Sequence, residues 1–126
     1  MTKITVKPDC GNAPRKAFLR DFNSAFAKGD AGFIIDHVSD DMLWIIHGDK
    51  TIKGKEAFAN EINVMKDYVA DELIIEHIIT HGREASCNGV MKMGSKTYNF
   101  CDVYRFTNTT SLIIKEMYSY VIEGEV

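Results

Sequence analysis

The chain has 126 residues, 45% of them apolar and 26% charged, with only 2 prolines; this fits one compact domain and excludes a disordered or fibrous polymer. A formal net charge of -3 argues against a broad electrostatic grip on phosphate backbones, which needs clustered Lys and Arg, so no nucleic acid is expected as a partner. Three cysteines, Cys10, Cys87 and Cys101, show no CxxC spacing and suit reduced thiols in a cytoplasm better than a disulfide framework. The opening MTKITVKPDC lacks the apolar run of a signal peptide, and no stretch nears the roughly 20 apolar residues that span a bilayer. A cytoplasmic protein with no membrane partner is the expectation.

Residues 1–11 end in Pro8, Asp9 and Gly11 and read as a loose N-terminal arm of a single domain over 1–126. Asn12 is placed to cap a helix that tolerates Pro14 in its first turn. Within that helix Phe18, Phe22, Ala25 and Phe26, with Leu19 beside them, form one apolar face. Lys28 suits the negative end of the helix dipole, and Gly29 can adopt the left-handed conformation that ends a helix. Asp30 then caps a second, short helix in which Phe33, Ile34, His37 and Val38 share a face before Ser39-Asp40-Asp41. Met42 to His47, centred on Trp44, reads as a short strand, and Gly48-Asp49-Lys50 as a turn. Gly54 stands at the start of a third helix with a narrower stripe of Phe58, Ile62 and Met65.

From Glu72 onward the pattern changes to strands. Glu72 to His81, Glu84 to Met93, Lys96 to Thr107 and Leu112 to Glu123 are rich in Ile, Val, Tyr and Thr and are separated by short turns. Such links join antiparallel neighbours, which predicts a meander of long strands. Helices first and sheet second is the order of an α+β fold with helices laid on one face of a strongly bent sheet. In the first long strand one face carries Leu73, Ile75, His77 and Ile79, and the other still carries Ile74 and Ile78. A sheet with one wet face alternates more cleanly, so a second copy of the chain is expected on the outer face, as a homodimer.

Four local patterns, AKGD at 27–30, SDDMLWI at 39–45, GKEAF at 54–58 and FCDVYRF at 100–106 followed by IIKEMYSY at 113–120, resemble the nuclear transport factor 2-like superfamily, which includes ketosteroid isomerases and polyketide cyclases. Their order and spacing extend over residues 12–123. The resemblance implies an NTF2-like cone, in which a curved mixed or antiparallel sheet wraps three N-terminal helices around an apolar pocket, in a homodimer. Chemistry varies on such a fold, so function has to be argued from the site. In the ketosteroid isomerases an aspartate base works with a tyrosine and a protonated aspartate on an oxyanion, an arrangement long used as a case of carboxyl tuning. The resemblance places Asp102 at the oxyanion aspartate. The base position falls at Ile46, or at His47 with a gap, and the tyrosine position at Phe22, so that design is incomplete here.

Asp102 shares strand parity with Phe100, Tyr104 and Phe106, the apolar face that would line the cone. A carboxyl group there is either a pKa-shifted donor to a ligand carbonyl or a structural partner of the Trp44 indole, a tyrosine hydroxyl or a histidine. His77 falls on the Leu73 and Ile75 face by parity and could pair with Asp102 as a general acid or base; His47 is the alternative base. Phe22, Phe26, Trp44, Ile46, Phe58, Ile62, Tyr104, Met117 and Ser119 complete the expected wall, whose composition suits a small apolar molecule. His77 and His81 are spaced HxxxH, but on a strand they stand about 13 Å apart, too far for one metal ion. No glycine pattern matches a nucleotide loop and no GxSxG occurs, so neither metal nor cofactor is expected. The sequence points to a pocket protein for a small apolar ligand, for which the resemblance implies a cofactor-independent isomerase or cyclase acting by acid-base chemistry next to a carbonyl, with a non-catalytic ligand-binding or dimeric interaction module as the alternative.

Overall fold

The computed structural model describes residues 1–125. In chain order it consists of β1 (Lys3–Val6), α1 (Pro14–Lys28), α2 (Ala31–Ile35), β2 (Val38–Ile46), β3 (Lys50–Lys53), α3 (Lys55–Met65), β4 (Glu72–His81), β5 (Glu84–Met93), β6 (Lys96–Phe106) and β7 (Ile114–Glu123). The strands form one open sheet in the order β1-β4-β5-β6-β7-β2-β3. The expected meander runs antiparallel from β4 to β7, while β1 on β4 and β2 on β7 are parallel, so the sheet is mixed. The helices lie on one face of it, with α1 against β4 and α3 against β2.

The helix boundaries follow local chemistry. Pro14 opens α1 at a position whose N–H would have no helical partner anyway, but the capping residue is Ala13 rather than Asn12, and no side chain caps the turn. Gly29 ends α1 with a φ of 77°. A β-carbon there would lie 2.1 Å from the Lys66 carbonyl oxygen, so only glycine lets the end of α1 meet the end of α3. Asp30 caps α2 by accepting the Phe33 N–H. Phe18, Leu19, Phe22, Phe58 and Ile62 bury the helix stripes against Leu73, Ile75, Phe106 and Met117 of the sheet.

Three expectations need correction. The arm at 1–11 is not loose along its length: Lys3–Val6 pairs in parallel with Glu72 to Ile75, where alternating Ile4 and Val6 pack on the core. The strand expected at Met42 begins already at Val38, and Lys50–Lys53 turns back on it as β3, with Ile52 buried; four residues are too few for periodicity to reveal. Strand parity also breaks twice. A bulge between Ile75 and His77 adds Glu76 to β4 without a partner on β5, and a register shift between Arg105 and Phe106 turns both Ile114 and Met117 inward on β7. Such bulges bend and twist the strands that carry them, which is how this sheet curves around the helices.

Candidate active site

The concave side of the sheet and the helices enclose a hollow of about 430 Å³, within the usual size range for a small-molecule site. Its walls come from α1 (Asn23, Phe26), β2 (Trp44, Ile46), α3 (Glu61, Met65), β5 (Met91, Met93), β6 (Tyr98, Phe100, Asp102) and β7 (Met117, Ser119, Val121), with Asp49 from the β2–β3 turn. Most of the lining is aromatic or methionine, and Asn23, Trp44, Tyr104 and Ser119 form the polar surroundings of Asp102. An adjoining hollow of about 280 Å³ lies under α2 and shares Phe26, Met65, Met91, Met93 and Tyr98 with the first.

Asp102 sits in the middle of β6, opposite Cys87 on β5 and Ser119 on β7. As a residue it is half-buried, and it lines the cavity. One hydrogen-bonded relay reaches its carboxyl group, and a second hydroxyl faces it from β7. In the relay, the buried Asn23 side-chain N–H donates to the Tyr104 hydroxyl at 3.1 Å and to the Leu19 carbonyl at 2.9 Å. The single Tyr104 proton is thereby left for Asp102 Oδ2 at 3.3 Å. On the β7 side, the Trp44 indole N–H donates to the Ser119 hydroxyl at 2.9 Å, which leaves the Ser119 proton for Asp102.

These two hydroxyls favour the charged carboxylate, but burial outweighs them, and the Asp102 carboxyl is pushed up from 3.8 to about 6. Tyr104 is driven well above the usual phenol value, first by burial and then by the Asp102 charge, so it remains a donor. Burial, followed by the same charge, pushes the neighbouring Cys87 thiol to about 12, which keeps it unreactive. The result is an acid-base group shifted toward neutrality in the wall of a largely apolar cavity, with the Tyr104 hydroxyl bonded to it and the Ser119 hydroxyl facing it.

The expected site residues separate into three groups. Phe26, Trp44, Ile46, Asp102, Met117 and Ser119 line the main cavity, and Ile62 lines the adjoining one. Phe22 and Phe58 are fully buried in the core behind it; Tyr104 is buried too but reaches the site through its hydroxyl. His77 and His47 are elsewhere. The Glu76 bulge reverses the parity of β4, so Ile78 packs inward and His77 points to the outer surface, where its Nδ1 lies 3.0 Å from Asn88 Oδ1. No His77–Asp102 pair forms. His47 follows Ile46 on the outer side of β2 and stacks on Tyr120, with ring centroids 4.3 Å apart and planes 8° apart.

Sequence reasoning missed Asn23, Asp49, Glu61, Met65, Met91, Met93, Tyr98 and Val121 as cavity residues. Tyr98 was within reach, since it continues the Phe100 and Asp102 parity, and Met91 and Met93 share the inward parity of Cys87. Asn23 lies one residue from Phe22 on a helix, and nothing in a single sequence marks it. Among the described residues, no group of three or more His, Cys, Asp or Glu is placed to hold a metal ion, and no helix is long and apolar enough to cross a membrane.

No family model matches the sequence, and no curated protein matches it. Solved structures do share its architecture. An NTF-2 like protein of unknown function from Burkholderia xenovorans superposes with a TM-score of 0.75 at 12% identity, covering 94% of this chain and 90% of that one. A Kribbella flavida protein assigned as a ketosteroid isomerase gives a TM-score of 0.70 at 10% identity, covering 89% and 80%. An LEH-like epoxide hydrolase from M. tuberculosis gives 0.71 at 17% identity, covering 86% and 82%. The chain has the NTF2-like fold, an α+β cone of three helices in a curved, unclosed sheet.

Proposed function

We propose that the protein is a cofactor-independent acid-base catalyst for a small, largely apolar molecule, with Asp102 moving a proton at a carbon next to a carbonyl group. The observation that carries this reading is the Asp102 carboxyl, set in the wall of the cavity with a pKa of about 6. A base of that strength is largely ionised at neutral pH and still basic enough to accept a proton.

In the proposed step the Asp102 carboxylate takes the proton from the carbon. The electron pair of the broken C–H bond moves onto the carbonyl oxygen as an enolate. Where the substrate carries a β,γ carbon–carbon double bond this enolate is a dienolate, and the protonated carboxyl returns its proton at the γ carbon, so the double bond moves into conjugation with the carbonyl and the carboxylate is restored. Tyr98 lines the same cavity and is the phenol available to donate to the developing oxyanion. Tyr104 and Ser119 keep the carboxylate oriented. The division of labour expected from the sequence, with Asp102 on the oxygen and His77 on the carbon, is replaced because His77 lies outside the cavity. The isomerase and epoxide hydrolase assignments of proteins with this fold support proton-transfer chemistry on such a scaffold.

A second reading, a binding protein that holds the same ligand without turnover, is favoured by Ile46, an apolar side chain where the resemblance puts the isomerase base. Incubating the protein with apolar ketones in D2O and following deuterium entry by NMR distinguishes the two. Exchange abolished in Asp102→Asn, with ligand binding kept, supports the catalyst. Equal exchange in parent and variant overturns it, and binding without any exchange selects the second reading. The proposal extends to a cytoplasmic homodimer: Ile79 and Ile122 are 62% and 71% exposed on the outer face, as an interface awaiting a second copy would be.

A further inference from the structure

We propose that the ligand of this cavity is an organic cation, a protonated amine on an apolar body. The inference rests on the pocket reading above and adds the charge of the ligand to it. Three residues lining the main cavity are ionisable acids, Asp49, Glu61 and Asp102, and no Lys, Arg or His lines it among the described residues. A cleft lined by one sign of charge with low-dielectric walls focuses its field on whatever enters, so a carboxylate or phosphate ligand is repelled and an ammonium group drawn in. The three carboxyl groups are too dispersed to chelate one metal ion, which calls for a diffuse organic charge.

The walls are suited to the same ligand. Phe26, Trp44, Tyr98 and Phe100 bring aromatic rings to the hollow, and an ammonium group over such rings is attracted by their negative faces. The polarity has a direction. Asp49 is an exposed wall residue at the mouth, and Glu61, half-buried on the same wall, is held at 3.3 Å by Lys50, which does not line the cavity; Asp49 is therefore the mouth carboxylate without an ion pair among the described residues. The adjoining hollow is otherwise apolar or aromatic, with Lys66 on its wall, so it receives the uncharged end of the molecule. The amine therefore sits at the Asp49 mouth, the apolar body crosses the aromatic and methionine walls, and the reacting carbon reaches Asp102.

Trp44 is the single tryptophan of the chain and reports binding by its fluorescence. Three matched probes test the charge: phenylbutylammonium, phenylbutanol and phenylbutanoate. The expected result is binding of the ammonium about tenfold tighter than the alcohol, with the carboxylate weakest and the ammonium preference fading as salt rises. Asp49→Asn should reduce that preference through weaker ammonium binding, whereas Lys50→Met, which frees Glu61, should increase it. An ammonium that binds no tighter than the alcohol, or a preference untouched in both variants, overturns the inference while the apolar pocket stands. Failure of all three probes to bind overturns the pocket reading along with it.

Discussion

The carbonyl oxygen of Ile74 occupies the space that a side chain on Gly89 would need: a β-carbon built there would stand 2.0 Å from it. This approach lies at the β4–β5 bulge, where Ile75 pairs with Gly89 and His77 with Asn88, leaving Glu76 unpaired. Gly89 thus permits the backbone irregularity that sends His77 outside and keeps Asp102 free of a histidine partner. Gly89→Ala is expected to destabilise the fold by about 3 kcal/mol or more, because the obstacle is backbone and cannot rotate away. A urea unfolding midpoint within error of the parent would show that β4 can retreat without cost.

His77→Gln follows from the same geometry. The side chain is exposed and its hydrogen-bond partner is Asn88, so stability should change by no more than about 0.5 kcal/mol, and deuterium exchange and ligand binding should match the parent. A loss of exchange would return His77 to the mechanism.

Asp102 ties stability to pH. Its folded pKa of about 6 lies above the ordinary 3.8, so the native state holds the proton more tightly than the unfolded chain does. The stability gained in this way is full below the unfolded pKa and is lost as pH rises through about 6. The difference between those two values corresponds to about 3 kcal/mol. Asp102→Asn carries no such charge, so it should gain up to that much on the parent between acid conditions and mildly alkaline ones, as read by denaturation at several pH values. Exchange in the parent should fall on the acid side of about pH 6 as the carboxylate is protonated.

Tyr104→Phe removes one hydroxyl from two hydrogen bonds. The Asn23 N–H that donates to it loses its partner in the core, at a cost of about 1–3 kcal/mol. Asp102 loses a donor that favours its charged form, so the acid limb of the pH profile should move to higher pH. A variant that loses stability with an unmoved limb would show that Tyr104 supports the core and leaves the carboxyl group alone.

The cysteines offer a separate check on burial. Cys87 has no exposed surface and its thiol is pushed to about 12, whereas Cys10 and Cys101 are partly exposed. Thiolate is the reactive form, so an aromatic disulfide reagent should modify Cys10 and Cys101 in the native protein and Cys87 only after unfolding. Prompt reaction of Cys87 would mean that β5 opens far more readily than its packing implies.

By itself the sequence determined the helices of 14–28 and 55–65, the four long strands, and the inward direction of Asp102, because periods of three to four and of two residues are local properties of a chain. It also pointed to Trp44, Ile46, Met117 and Ser119 as cavity wall by the same parity. Tertiary structure decided the rest. The place of His77 hinges on one unpaired residue, Glu76, and on the missing side chain of Gly89 in the neighbouring strand, twelve residues beyond His77; no alternation within β4 records a bulge that depends on its neighbour. Asn23 joins the site only because α1 crosses the sheet where Tyr104 rises from β6. The proton affinity of Asp102 is likewise a collective quantity, set by walls from two helices and four strands whose joint effect on a buried charge has no counterpart in the order of the residues.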